Sequence, residues 1–80
     1  MNLKELISVD PDVLGGQTVF KGTRVPIESM FDHLEAGVSL NSFLEDFPSV
    51  SREQAIALLD WTNRLLSSTK NIQDLYEVVT

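Results

Sequence analysis

The sequence predicts a mainly α fold: a three-helix bundle of the helix-turn-helix pattern, preceded by a small N-terminal β-hairpin and followed by a C-terminal helical tail. Three observations predict it. Apolar residues recur at i, i+3, i+4 and i+7 in two successive stretches, and a third, longer stretch carries one core stripe of its own, the mark of amphipathic helices. The second and third stretches are joined only by Phe47-Pro48-Ser49-Val50, and a short helix, a tight turn and a longer capped helix make up that pattern. Two β-prone triplets, Thr18-Val19-Phe20 and Thr23-Arg24-Val25, flank Lys21-Gly22 near the N-terminus, a spacing that suits a tight turn with glycine at positive φ.

Each element has its own local cause. Ile7-Ser8-Val9 is a short strand candidate. Asp10-Pro11 then opens a single helical turn, with Asp10 as cap and Pro11 at the first position, where a missing N–H costs nothing. Gly15-Gly16 ends that turn, since neither residue has a Cβ to oppose positive φ. Pro26 stops the strand and opens the first full helix, whose stripe is Ile27, Met30, Phe31 and Leu34 and whose cap is Gly37. Ser39 caps the second, with Leu40, Phe43, Leu44 and Phe47 as its stripe, Val38 and Phe43 at staple positions and Pro48 as its stop. Ser51-Arg52-Glu53-Gln54 is a capping box for the third, whose stripe runs Ala55, Leu58, Leu59, Thr62, Leu65 and Leu66. Ser67-Ser68-Thr69 breaks the pattern, and Ile72, Leu75, Tyr76 and Val79 resume helical spacing. Domain organisation is therefore 1–66 for hairpin and helix-turn-helix, and 67–80 for a helical, partner-docking segment.

Composition bounds the function. Eighty residues at 42% hydrophobic and 22% charged make one small globular domain. No cysteine occurs, which excludes disulfides, zinc–thiolate sites and cysteine nucleophiles. No apolar run approaches a membrane span and no leader pattern opens the chain, so a cytoplasmic location is expected. The net charge of −6 is unevenly placed. Residues 1–26 balance Lys4, Lys21 and Arg24 against Glu5, Asp10 and Asp12, and residues 61–80 balance Arg64 and Lys70 against Asp74 and Glu77. Residues 27–60 set Arg52 alone against Glu28, Asp32, Glu35, Glu45, Asp46, Glu53 and Asp60. Such a surface repels phosphate and favours a basic partner, or simply keeps a small protein in solution.

Three stretches are familiar together: Leu14-Gly15-Gly16-Gln17-Thr18-Val19-Phe20-Lys21-Gly22-Thr23-Arg24-Val25-Pro26, Leu34-Glu35-Ala36-Gly37, and Leu44-Glu45-Asp46-Phe47-Pro48-Ser49-Val50-Ser51. They resemble a family of short prokaryotic proteins catalogued as a domain of unknown function, number four hundred and thirty-three. Its members are regarded as VapB-like antitoxins, often encoded beside a toxin with a PIN-like nuclease fold. The resemblance implies a homeodomain-like helix-turn-helix behind a β element, inhibition of a toxin, and repression of the shared operon. Thr18 departs from the family, which often has Pro there; Thr suits a strand equally.

Two sets of site residues follow. Lys21, Thr23 and Arg24 on the hairpin, with Ser51, Arg52 and Gln54 at the start of the third helix, are the DNA-binding candidates. Arginine grips phosphate or guanine in two-pronged fashion, and a recognition helix reads bases with its first turns. Each has a structural alternative: Arg24 paired with a carboxylate of the acidic helices, Gln54 held as a cap. Trp61, Leu65, Leu66, Ile72, Leu75, Tyr76 and Val79 are the partner-binding candidates, because the tail is more apolar than solvent warrants and apolar helix faces dock into grooves. A fourth helix packed on the domain, or on its copy in a dimer, would also absorb them. Glu28, Asp32 and Glu35 form an acidic stripe, but with His33 as the lone histidine and no Gly-rich loop neither metal nor cofactor is expected. No nucleophile–base set is visible, so an enzyme is not expected. The reading is an antitoxin that inhibits a PIN-like toxin, dimerises and autorepresses; the alternative is a stand-alone DNA-binding regulator.

Overall fold

The structure is a computed structural model. It describes residues 2–68 together with Gln73, Asp74, Tyr76 and Glu77. Its elements run α1 (Leu3–Leu6), β1 (Ile7–Val9), a 3-10 turn (Leu14–Gly16), β2 (Thr18–Phe20), α2 (Ile27–Glu35), α3 (Leu40–Asp46) and α4 (Arg52–Ser67). The protein is thus mostly helical with a small N-terminal antiparallel sheet. Gln73, Asp74, Tyr76 and Glu77 are also helical.

The sheet corrects one expectation. β2 pairs antiparallel with β1, in the register Ile7–Phe20, Ser8–Val19 and Val9–Thr18. Its anticipated partner, the arm Thr23-Arg24-Val25, forms no ladder: Thr23 N–H bonds the Phe20 C=O and Phe20 N–H bonds the Val25 C=O, both at 3.0 Å, and an isolated bridge joins Val19 to Pro26. The turn itself forms, with Gly22 at φ +78°. The arm stops there because Val25 turns into the core, Pro26 has no N–H for a ladder and α2 begins at Ile27. The single helical turn foreseen at Asp10-Pro11 also shifts. Asp10 makes a tight turn instead, its side chain and carbonyl accepting from Asp12 and Val13 N–H, and the 3-10 turn follows at Leu14.

α1 was not anticipated. Asn2 caps it by accepting the Glu5 N–H at 3.0 Å, and the helix carries Leu6 fully into the interior. The other helix ends follow their sequence signals. Gly37, at φ +84°, closes α2 with bonds from Gly37 N–H to Leu34 C=O and from Val38 N–H to His33 C=O. That is the Schellman pattern. Ser39 caps α3 by accepting the Ser42 N–H, and Pro48 follows its end.

The core gathers Phe20 from β2, Val25, Met30 from α2, Phe43 from α3, Val50, and Ala55 and Leu58 from α4. Ile7, Ile27, Phe31, Leu34, Leu40, Leu44, Phe47 and Leu59 pack around it. Phe43 is its hub, with ring centroids 4.9 Å from Phe47, 5.3 Å from His33 and 6.4 Å from Phe20. His33 stands edge-on to both Phe43 and Phe47 while its Nδ1 meets the Ser29 carbonyl at 2.6 Å.

Candidate functional site

The capping box of α4 forms in full. The Ser51 hydroxyl accepts the Gln54 N–H at 3.0 Å, and the Gln54 carbonyl oxygen accepts the Ser51 N–H at 3.1 Å. Gln54 does more than cap. Its Nε2 donates to the Lys21 carbonyl at 2.9 Å, across 33 residues of chain. One side chain therefore ties the Lys21–Arg24 turn to the first turn of α4. All six DNA-binding candidates belong to these two tied segments, so the structure brings the two halves of that set together.

The side chains are not equally available. Thr23 Oγ1 donates to the Phe20 carbonyl at 2.9 Å and accepts the Val25 N–H at 3.0 Å, holding the turn. Ser51 and Gln54 are engaged as caps. Arg52 donates to Asn41 Oδ1 on α3. Lys21 and Arg24 are exposed. The expected pairing of Arg24 with a carboxylate does not form among the described residues. There, one ion pair occurs, Arg64 to Asp60 at 2.9 Å along the outside of α4. The turn closes on its own hydrogen bonds and leaves Arg24 facing solvent.

A second surface lies at the other end of α4. Ala55 and Leu58 are buried and Leu59 and Thr62 are half-buried, as the stripe predicts. Leu65 and Leu66 continue the same face at 49% and 45% exposure, so they are not part of the core, a correction to the stripe as read. α4 has sixteen residues while α2 and α3 have nine and seven, and its buried residues, Ala55 and Leu58, lie in its first half. Trp61 is half-buried at the edge of this surface and Tyr76 is 67% exposed. Ile72, Leu75 and Val79 lie outside the described residues.

The acidic residues Glu28, Asp32 and Glu35 of α2 and Glu45 and Asp46 of α3 are all exposed. An open cleft of about 270 Å³ lies between β2 and the start of α2, lined by Gln17, Thr18, Pro26, Ile27 and Glu28. Among the described residues no group of His, Asp and Glu side chains converges as a metal site, and no helix is long and apolar enough to cross a membrane. Sequence reading missed Asn41 as the partner of Arg52; the pair is eleven residues apart and no local spacing signals it.

Fold and site together define a small, mostly helical protein whose β turn is fastened to the head of its longest helix and whose last α4 turn carries half-exposed leucines. The chain belongs to the DUF433 family, proteins of unknown function, whose model matches residues 7–61. It is 39% identical over 51 residues to an uncharacterized protein, y4eO, of Sinorhizobium fredii (strain NBRC 101917 / NGR234). That match covers 64% of this chain and 23% of the relative, so it spans about a quarter of the relative's length. The fold is similar to the crystal structure of a DUF433 member protein from Anabaena variabilis ATCC 29413. The TM-score is 0.63 at 22% identity, covering 92% of this chain and 71% of that one.

Proposed function

We propose that the chain is the antitoxin of a toxin–antitoxin pair, binding and inhibiting a PIN-like nuclease toxin. The observation that carries this reading is the distal face of α4, where Leu65 and Leu66 continue the core stripe at 49% and 45% exposure. Such a face is an anchor for a groove on a partner. The acidic outer faces of α2 and α3 suit a basic protein, steering encounter and excluding acidic competitors. Inhibition is then steric: apolar anchors fill the groove and acidic residues meet cations around it. The resemblance of the Gly-Gly, Lys-Gly-Thr-Arg and Asp-Phe-Pro elements to VapB-like antitoxins supports the same reading.

The test is co-expression with the product of the adjacent gene, followed by capture and a growth assay. The intact chain should form a stable complex and relieve toxicity. Truncation after Thr62 should abolish both while the domain stays folded, since the buried residues of α4 end at Leu58. A truncated chain that still neutralises the toxin would overturn the assignment.

A second activity, operon repression through α3, its turn and α4 as a homodimeric helix-turn-helix, is favoured by one observation. Lys21 and Arg24 lie on the turn tied by Gln54 to the α4 N-terminus, beside Arg52. A gel shift on the chain's own upstream DNA, run at low and moderate salt, tests it. A stand-alone regulator would bind there specifically without any toxin.

A further inference from the structure

We propose that β1 is a self-association edge, pairing antiparallel with β1 of a second copy across a two-fold axis at Ser8. β2 occupies one side of β1, and among the described residues no strand occupies the other. The Lys21 N–H donates to the Leu6 carbonyl at 2.8 Å, so the ladder turns the backbones of Leu6 and Ser8 toward β2. Antiparallel alternation then turns those of Ile7 and Val9 outward. The Ile7 N–H is closed by the Leu3 carbonyl at the end of α1, which leaves the Ile7 carbonyl and the Val9 N–H on the open edge.

A two-fold axis at Ser8 sets Val9 of each copy opposite Ile7 of the other. Each Val9 N–H then meets an Ile7 carbonyl, so the contact is self-complementary, as an isologous dimer requires. Natural edge strands are guarded by a charge, a proline or a bulge. Ile7-Ser8-Val9 has no charged residue and no proline, and its register with β2 is unbroken. Val9 is 61% exposed.

Charge selects a second copy as the occupant. The chain carries −6, but residues 1–26 sum to zero, with Lys4, Lys21 and Arg24 against Glu5, Asp10 and Asp12. Two copies therefore meet here without the repulsion that the acidic middle segment imposes. Strands of three residues bury little area, so the dimer is weak and concentration-dependent.

The experiment is sedimentation equilibrium of the full chain from about 10 μM to 1 mM, with amide exchange by NMR over the same range. A monomer–dimer equilibrium is expected, with Val9 N–H protection rising with concentration and Ser8 N–H protection unchanged. Val9→Lys should raise Kd by about tenfold or more with an unchanged circular dichroism spectrum. A chain that stays monomeric throughout overturns the proposal. So does a dimer that survives Val9→Lys, above all one dissolved instead by Leu65→Ser and Leu66→Ser. Toxin capture is read separately, so failure of either idea leaves the other standing.

Discussion

Gln54 is the side chain on which the site's geometry turns, and its two roles can be separated by substitution. Gln54→Ala removes the bond from the Ser51 N–H and the bond to the Lys21 carbonyl. It spares the Gln54 backbone N–H bond to the Ser51 hydroxyl. Each lost bond is worth about 0.5–1.5 kcal/mol net, and both are solvent-accessible, so the lower half of that range applies. Alanine's better helix propensity returns a few tenths of about a kcal/mol. The expected loss is about 1 kcal/mol, or a fall in Tm of about 4–8 °C for a domain of this size. Gln54→Glu keeps the capping acceptor and places a negative charge in the first turn, which favours the helix by about 0.3–1 kcal/mol. It has no donor for Lys21. Global stability should then stay near that of the natural chain while the turn loosens. Urea unfolding reads the first effect. Amide exchange at Thr23 and Val25, whose N–H groups bond to the Phe20 carbonyl and Thr23 Oγ1, reads the second. Unchanged turn exchange in Gln54→Glu, or a Gln54→Ala chain as stable as the natural one, would refute the account of Gln54 as a strut.

Phe43→Ala deletes the hub of the core, a fully buried ring touching Phe20, His33 and Phe47. It should cost about 3–5 kcal/mol. An 80-residue chain holds about 4–12 kcal/mol in all, so a large unfolded fraction by circular dichroism at 25 °C is expected. Gly37→Ala meets no atom within 4 Å but sits at φ +84°, so only backbone strain opposes it. A loss of about 1 kcal/mol is expected in urea unfolding, with Gly37→Asn recovering part of it.

Local chemistry made most of this fold readable. Ser39 and Ser51 announce helix starts by geometry that involves neighbours only, and Gly37 announces an end. The stripes of α2 and α3 name core residues because a helix has one period. What failed depended on distance. The pairing of β2 with β1 rather than with the following arm is decided by Pro26 and by the inward turn of Val25, both tertiary facts. α1 is a single turn held by Asn2, too short to show a period. Leu65 and Leu66 have the right spacing for a core, but spacing alone cannot tell which turns of a long helix are covered. In the site, Thr23 reads as a strand residue and DNA-binding candidate, while its hydroxyl in fact holds the turn through Phe20 and Val25. The bonds from Gln54 to Lys21 and from Arg52 to Asn41 join residues 33 and 11 positions apart and leave no trace in a single sequence.

The cost of those internal bonds falls on the DNA-binding reading. Thr23, Ser51 and Gln54 already have partners within the chain, and Arg52 shares its guanidinium with Asn41. Lys21 and Arg24 remain open, with Arg52 as a third cation on the same tied unit. Three phosphate contacts give a slope of log affinity against log salt of about −2.7, which is shallow for a specific DNA-binding protein. The outer face of α4 offers little help, since Glu53 and Asp60 are exposed there and Asp60 already engages Arg64. A two-fold pairing through β1 changes the arithmetic by presenting six cations from two copies, and the slope should approach about −5. Repression and self-association are therefore linked. Val9→Lys adds a positive charge to each chain, yet if the dimer is the binding unit it should weaken operator binding and flatten the salt slope. Tighter binding by Val9→Lys would mean that the monomer carries the contact, and that β1 has no part in it.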